Sequence, residues 1–384
     1  MISLQAFDFQ PLVRVVFGPG SLERLGELTR ELGGQRVLLV TDPGLERAGH
    51  PQRAAQVLSR AGLSVAVFDG VEENPTTHHV EAGVRAARAA GCDFLVAVGG
   101  GSAMDVAKGI NFLLTNGGSM ADYWGSGKAR LPMLPSIGVP TTAGTGSEAQ
   151  SYALIADPVT HRKMACGDRK AAFRVAVLDP ELTLTQPDRV TADTGMDALS
   201  HALESYVTTC RNPLSQALAR EAWRLLVHHF PTVLRQPDHL PARAGMQLGA
   251  HFAGWAIENS MLGATHALAN PLTAHYGLPH GQAIALLLPH VIRFNAAVVE
   301  PLYADLARDA GLDASPSEGA GEVLARHVSS LARLAGLPAR LAEVGVHEAI
   351  LPVLAEEAAE QWTGRFNPRP AGAAELLQLY RQAY

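Results

Sequence analysis

The sequence predicts an N-terminal α/β domain with a parallel sheet, followed by a domain built only of helices. In the first half, short apolar runs alternate with stretches of helical periodicity, which is typical of strands covered by helices on both faces. From about residue 190 the strand-like runs disappear, and Ala, Leu, Glu and Arg recur at helical spacing. We place the boundary at the Pro-marked connection Gln186–Pro187, which gives domains of residues 1–186 and 187–384.

Four apolar runs define the predicted strands of the first domain, and helical patterns lie between them. The strands are predicted at residues 36–41, 64–68, 93–98 and 136–139, with helices at 51–61, 77–90 and from 103 onward. In the second domain, helices are predicted at residues 193–210, 212–229, 241–260, 281–296, 299–311, 317–335 and 373–382.

Composition excludes several classes of protein. The 384 residues carry a net charge of −6 without any block of Lys and Arg, so we expect neither a nucleic-acid partner nor an anionic membrane surface. The three cysteines are far apart, which fits a reducing compartment. No apolar run approaches the ~20 residues of a membrane span. Because the N-terminus lacks the features of a signal peptide, we expect a cytoplasmic location.

A glycine-rich turn follows the predicted strand at 93–98. In Gly99-Gly100-Gly101-Ser102, glycines allow close approach of the backbone, and the helix that follows offers free N–H groups for a pyrophosphate. Asp105 suits the positive end of that helix, and Lys108 could pair with it or reach a phosphate. A plain strand-to-helix turn is the alternative, since the pattern is neither G-x-G-x-x-G nor a P-loop.

Two further features favour a dinucleotide. Residues 140–148 combine glycine with the hydroxyls of Thr141, Thr142, Thr145 and Ser147, which suit a sugar-phosphate, although a polar turn would look similar. Asp42 ends the first strong strand, where an acidic residue binds ribose hydroxyls and repels a 2′-phosphate. Asp42 therefore favours NAD over NADP, unless it only initiates the turn.

Histidine is concentrated in the second half of the chain. Nine of the fifteen histidines lie between residues 201 and 290, where an even spread would place three or four. Asp197 and His201 share one helix face at i, i+4, and with His266 and His280 they could bind Fe²⁺ or Zn²⁺ and leave positions for substrate. A solvated helix face is the alternative, but apolar neighbours suggest burial, and a buried carboxylate needs a partner or a metal.

Four motifs resemble those of the iron-containing (group III) alcohol dehydrogenases. They are GGGSAMDVAK at 99–108, PTTAGTGSE at 140–148, TGMDALSHALE at 194–204 and PHG at 279–281. The similarity extends to residues 74–76 and 367–370 and thus spans nearly the whole chain. The resemblance implies a Rossmann-like dinucleotide-binding domain, an all-α metal-binding domain, a catalytic divalent metal between them, and a homodimer or larger assembly.

The resemblance also implies which residues bind the metal and NAD. The family's metal ligands fall on Asp197, His201, His266 and His280, which would act in catalysis through Fe²⁺ or Zn²⁺. Its cofactor positions fall on Asp42, Asn74, Gly99, Gly100, Ser102, Asp105, Thr141, Thr142, Thr145 and Ser147, with Lys163 matching a lysine that contacts NAD and Leu182 flanking it. One departure is Asn270, where many relatives have His, because Asn cannot take a proton near neutral pH.

The resulting hypothesis is reversible oxidation of a small primary alcohol to its aldehyde by hydride transfer to NAD. A related NAD- and metal-dependent lyase that cyclises a sugar phosphate is the alternative. That reaction needs basic side chains for the substrate phosphate, and residues 194–204 and 260–285 contain no Lys or Arg. A protein that only stores or displays a metal is the third reading, but it leaves the two predicted phosphate loops unexplained.

Overall fold

The computed structural model describes residues 6–160, 162–313 and 318–384. Within these ranges the chain divides into two compact units. The sheet unit comprises Gln10–Thr142 and Gly146–Gln186, and the helical unit comprises Pro187–Tyr384, the loop Ala143–Thr145 and residues 6–9. The chain thus passes from the sheet unit to the helical unit after Gln186. The loop Ala143–Thr145, although it comes from the first half of the chain, groups with the helices. The first five residues of the predicted first domain lie outside the described residues.

Within its described residues the sheet unit contains nine strands in two sheets, which confirms the predicted α/β class. The strands are β1 (Arg14–Phe17), β2 (Arg36–Val40), β3 (Ser64–Phe68), β4 (Phe94–Gly99), β5 (Gly125–Ser126), β6 (Ser136–Pro140), β7 (Tyr152–Ala156), β8 (Lys163–Gly167) and β9 (Val175–Leu178). Six of them form one sheet in the order β1-β9-β6-β4-β2-β3, and its pairs are parallel. A smaller sheet has the order β5-β8-β7.

The continuous apolar runs of the central strands arise because helices cover both faces of the large sheet. The unit's helices are α1 (Leu25–Glu31), α2 (Pro43–Ala48), α3 (His50–Arg60), α4 (Thr77–Ala90) and α5 (Gly101–Asn116). In β2, Val37 and Leu39 join the core formed with α1 and α3. The alternate residues Leu38 and Val40 join the core formed with α4 and α5. Alternate side chains of one strand thus pack in two separate cores, one on each face of the sheet.

The order of the strands creates a binding edge. After β2 the chain moves outward to β3, then returns to form β4 on the other side of β2. The loops that follow β2 and β4 therefore diverge at the carboxyl ends of two neighbouring strands, which is where open α/β sheets bind ligands. Asp42 follows β2, and Gly99 ends β4. The fold thus brings Asp42 and the glycine turn that begins at Gly99 to the same edge of the large sheet.

The helical unit consists of eight α-helices within the described residues. They are α6 (Asp188–Val207), α7 (Pro213–Arg235), α8 (Leu240–Glu258), α9 (Ala264–Tyr276), α10 (His280–Asp309), α11 (Ala320–Leu334), α12 (Leu351–Glu360) and α13 (Ala373–Ala383). Helices α7, α8 and α10 pack around α6. As expected from its apolar neighbours, α6 is buried along its whole second half, from Gly195 to Val207.

Prolines account for most differences from the predicted helices. The sequence suggested that a helix ends at residue 229, but α7 continues through Pro231 to Arg235. The two helices predicted at 281–296 and 299–311 form one element, α10, with a non-helical residue at Val299 two residues before Pro301. Helix α9, which contains Pro271, and helix α12 were not predicted. Residue 317, where another helix was predicted to begin, lies outside the described residues.

Helix α10 is long and apolar enough to cross a membrane by length and hydropathy alone. However, 61% of its most apolar stretch is buried inside the structure, as in the core helix of a soluble protein. Its apolar residues pack in the same core as those of α6, and their contacts with other helices explain the hydropathy.

The close packing of α6 on α7 gives a first prediction. A Cβ added at Gly195 would lie 2.1 Å from Cε2 of the buried Phe230. Alanine within a helix normally gains about 1 kcal/mol over glycine, but overpacking costs about 1–3 kcal/mol. We therefore expect Gly195→Ala to lower the thermal midpoint. Gly372→Ala is the control, because its Cβ would meet only the flexible end of Glu375. An unchanged or higher midpoint for Gly195→Ala would contradict this packing.

Candidate metal and cofactor sites

Three histidine side chains of the helical unit converge on one carboxylate oxygen of a fourth residue, Asp197. Asp197 and His201 lie one turn apart on α6, His266 is the third residue of α9, and His280 is the first residue of α10. The Nε2 atoms of the three histidines lie 3.2, 3.6 and 3.6 Å from Oδ1 of Asp197, in that order. The structure thus brings together the four predicted metal ligands.

The donors in this set fit a divalent metal ion. Asp197, His201 and His266 are buried, and their ligand atoms lie within 4.8 Å of one another. Among the described residues, Oδ1 of Asp197 and Nε2 of His266 have no hydrogen-bond partner. Buried polar atoms without a partner are rare in folded proteins, and a bound ion satisfies such atoms in many metal sites. Ligands about 2.1 Å from a common ion lie roughly 3.0–3.4 Å apart, close to the distances seen here.

The charges of the site are arranged around the Asp197 carboxylate. Burial alone would raise the pKa of Asp197, but the three surrounding imidazoles outweigh it and hold that pKa below its usual range. Burial lowers the pKa of His201. Burial also acts to lower the pKa of His266, but contacts with the Asp197 and Glu204 carboxylates raise it to about 9. The set therefore combines one anionic oxygen with three nitrogen donors.

Glu204 is a feature of the site that the sequence did not assign. Its Oε2 lies 2.6 Å from Nδ1 of His266, on the side of the ring away from Asp197. The residue is part of the motif at 194–204, seven positions after Asp197 on the same helix. This spacing places both carboxylates on one face of α6 and was the signal available in the sequence.

Two glycines permit the close packing that aligns the ligands. A Cβ at Gly281, next to His280, would lie 2.0 Å from the backbone oxygen of Asp193 on α6. A Cβ at Gly144 would lie 2.6 Å from Cβ of Thr194. Because neither position has room for a side chain, the start of α10 and the loop Ala143–Thr145 both pack directly on α6.

In the sheet unit, the glycine turn at residues 99–102 meets the start of the loop at residues 140–148, here called the Thr-rich loop, at the binding edge of the sheet. Gly99 accepts a hydrogen bond from the backbone of Thr141 at 3.0 Å. A Cβ at Gly100 would contact Thr142 at 3.4 Å. Helix α5 begins at the next residue and carries Ser102 in its first turn. Free N–H groups at this end of the helix suit a pyrophosphate.

Asp42 has a structural role that is compatible with cofactor binding. Its Oδ1 caps α2 by accepting hydrogen bonds from Gly44 N at 2.9 Å and Leu45 N at 3.1 Å. Its Oδ2 lies 3.6 Å from the position of a Cβ at Gly99. The second oxygen is thus directed to the glycine turn, where a ribose would lie in a dinucleotide fold.

Asp105, Ser147 and Lys108 form a buried network. Ser147 Oγ donates to Asp105 at 2.8 Å, and Lys108 Nζ donates to Ser147 Oγ and to the Tyr152 carbonyl, each at 2.8 Å. Burial raises the pKa of Asp105, while Lys108 and Lys163 oppose the shift. In this structure the network holds the 140–148 loop on α5, so direct contact of Asp105 or Ser147 with NAD stays a prediction.

The remaining predicted cofactor residues are more dispersed. Asn74 follows β3 and has a φ of 53°, a left-handed conformation that Asn tolerates better than most residues. Leu182 is fully buried in the core shared with α1 and α3, so its side chain is directed into the protein. Thr145 belongs to the loop that groups with the helical unit.

Asn270 lies on α9, one turn after His266. Its Nδ2 donates to Oε1 of Gln361 at 3.0 Å. The amide is thereby held in place, and the proton relay open to a histidine at this position is not available to it.

Comparisons with known proteins decide the family. The model of the iron-containing alcohol dehydrogenases matches residues 13–180, and that of the C-terminal region of the same family matches residues 191–384. This chain belongs to the iron-containing alcohol dehydrogenase family. The assignment confirms the resemblance of the four motifs and identifies the chain as an oxidoreductase of the alcohol dehydrogenase class.

Relatives of the family match over almost the full chain. The 1,3-propanediol dehydrogenase of Citrobacter freundii is 36% identical, with 100% of both chains covered. The NAD-dependent methanol dehydrogenase of Bacillus methanolicus is 34% identical over 96% of this chain and 97% of that protein. A crystal structure of a 1,3-propanediol oxidoreductase superimposes with a TM-score of 0.96 at 35% identity, covering 99% of this chain and 100% of the other.

Replacing Asp42 should change the preference of the enzyme for NAD over NADP. In Asp42→Ser the hydroxyl can still cap α2, but the negative charge that would repel a 2′-phosphate is absent. We expect kcat/KM with NAD to fall and the ratio of NADP to NAD activity to rise by about tenfold. Steady-state assays with both cofactors measure this ratio. An unchanged ratio would assign Asp42 to helix capping alone.

Asp197 gives a prediction about metal binding. In Asp197→Asn the shape of the side chain is kept, but the only anionic oxygen among the four ligands is removed. We expect the metal content of the purified chain to fall from about one ion to less than about a tenth of an ion. Asp193→Asn, one turn earlier on α6, serves as the control. Full metal content in Asp197→Asn would place the metal elsewhere.

Proposed function

We propose that this alcohol dehydrogenase interconverts small primary alcohols and their aldehydes with NAD, using Fe²⁺ or Zn²⁺ held by Asp197, His201, His266 and His280. The observation that carries the proposal is the convergence of three imidazole nitrogens on one buried carboxylate oxygen. Such a set of one carboxylate oxygen and three imidazole nitrogens is typical of catalytic Zn²⁺ and Fe²⁺ sites.

When bound, the metal polarises the oxygen of the alcohol or aldehyde, and the nicotinamide ring exchanges the hydride. The chain's own residues hold these groups in place. Asp197 supplies the charge that favours a cation, while burial of His201 favours its neutral, coordinating form. The first turn of α5 offers N–H groups for the pyrophosphate, and Asp42 offers an acceptor for ribose hydroxyls.

Small substrates are supported by the names of the relatives. One acts on 1,3-propanediol and another on methanol, both of which are small primary alcohols. The position next to His266 on the same face of α9 is the neutral Asn270. We therefore propose that the proton of the alcohol leaves through water or a cofactor hydroxyl, not through the side chain at position 270.

We propose a cytoplasmic homodimer or larger homo-oligomer that binds neither nucleic acid nor a membrane, in agreement with the acidic net charge and the lack of a basic block. Light scattering coupled to size-exclusion chromatography measures the assembly, and a monomer at micromolar concentration would contradict it.

No observation favours the sugar-phosphate lyase. The segments that supply the metal ligands, residues 194–204 and 260–285, contain no Lys or Arg to bind a substrate phosphate. The lyase would return its cofactor to NAD in each cycle, whereas a dehydrogenase accumulates NADH. Net NADH formation therefore separates the two reactions.

Metal removal tests the proposed function. We expect treatment with a strong chelator to reduce NADH formation from NAD and 1,3-propanediol or ethanol by at least about a hundredfold, because the metal supplies several kcal/mol of charge stabilisation. Re-addition of Fe²⁺ or Zn²⁺ should restore it. Absorbance at the NADH band follows the reaction. Full turnover by a chain shown to contain no metal would refute the proposal.

A further inference from the structure

We propose that Glu204 is a positioning residue of the metal site, which sets the tautomer of His266 and fixes the start of α9 through one carboxylate. The inference rests on the metal site of the proposed function. It concerns a residue that supports a ligand and does not itself bind the metal.

The contact between Glu204 and His266 determines which ring nitrogen is available. Oε2 of Glu204 lies 2.6 Å from Nδ1 of His266. An ionised carboxylate only accepts hydrogen bonds, so Nδ1 must carry the proton and donate it. Nε2, which faces Asp197 at 3.6 Å, is then the ring nitrogen left to bind a metal.

The same carboxylate also caps α9. Oε1 accepts a hydrogen bond from Thr265 N at 2.8 Å, and Oε2 accepts one from Gly263 N at 3.2 Å. Glu204 is 2% exposed, so the positive end of α9 and these donors compensate its buried charge. Because His266 is the third residue of α9, Glu204 contributes both to the position of its backbone and to the orientation of its ring.

The close approach of the two elements is built into the sequence at Gly263. A Cβ there would lie 3.0 Å from Oε1 of Glu204 and 2.9 Å from Oδ1 of Asn367. A larger residue would push the carboxylate away from the helix start. The lack of a side chain at Gly263 thus allows the Glu204 carboxylate to reach both the helix start and His266.

Asn367 holds the same helix start through hydrogen bonds that do not involve His266. Its Oδ1 accepts from Ala264 N at 3.1 Å and from Nδ2 of Asn295 at 3.0 Å, and it is buried. This gives a structural role to the motif at 367–370. Asn367 also allows the two effects of Glu204, holding the start of α9 and pairing with Nδ1 of His266, to be tested separately. Loss of Asn367 weakens the start of α9 but leaves Glu204 beside Nδ1.

The test compares metal affinity in three variants of the full-length, purified chain. Gly263 N, Thr265 N and Nδ1 of His266 all donate to the Glu204 carboxylate, so in Glu204→Gln the amide N–H must face one of these donors in either orientation. Glu204→Asp keeps the charge near the helix start but shortens the reach to His266. Asn367→Ala is the matched control for a weakened helix start. Zn²⁺ affinity is measured by competition with a chelator, and NADH binding and thermal unfolding report the fold.

We expect the Zn²⁺ dissociation constant to rise about 10–100-fold in Glu204→Gln and Glu204→Asp, and less than about threefold in Asn367→Ala. A rise of less than about threefold in both Glu204 variants would overturn the proposal. An equal rise in Asn367→Ala would overturn it too, since Glu204 would then act only through the helix start. If the wild-type chain binds no metal, the proposed function itself fails, which distinguishes the two outcomes.

Discussion

The helical unit is organised around one buried charge, the Asp197 carboxylate on α6. A carboxylate away from water is costly unless donors or a cation surround it. Here α6, α9 and α10 each direct an imidazole at the same oxygen. The packing that makes this possible uses glycines at the contacts with α6, and the chain has no room for side chains there. Stability and metal binding therefore depend on the same set of contacts.

The sheet unit has a different role, because it presents backbone N–H donors to a charged ligand. Parallel strands with both faces covered leave only their ends for binding, and the order β3-β2-β4 opens a gap between neighbouring loops. Glycines at the end of β4 keep that edge free of side chains, while Asp42 stabilises α2 with one oxygen and faces the glycine turn with the other. The buried network of Asp105, Ser147 and Lys108 fixes the Thr-rich loop beside it.

The sequence predicted the elements whose signal is local. The strand at 64–68 and the helix at 77–90 match the structure at both ends, because apolar patterns and turn residues define them. The strand β9 and the strands of the small sheet were not predicted; among them, β5 has only two residues, and β8 has no β-branched or aromatic residue. Helix α9 was missed because Pro271 lies inside it. The spacing from Asp197 places Glu204 on the same helix face, but its partners lie at the start of α9, about sixty residues away in the sequence, so its role became visible only in the structure.

The most direct measurement is an anomalous-scattering experiment on crystals of the chain loaded with Fe²⁺ or Zn²⁺, with data collected on both sides of the metal's absorption edge. We expect one strong peak in each chain, within about 2.0–2.3 Å of Asp197 Oδ1 and of Nε2 of His201, His266 and His280. A peak held by other residues, or no peak in crystals of an active enzyme, would show that these four side chains do not form the catalytic metal site.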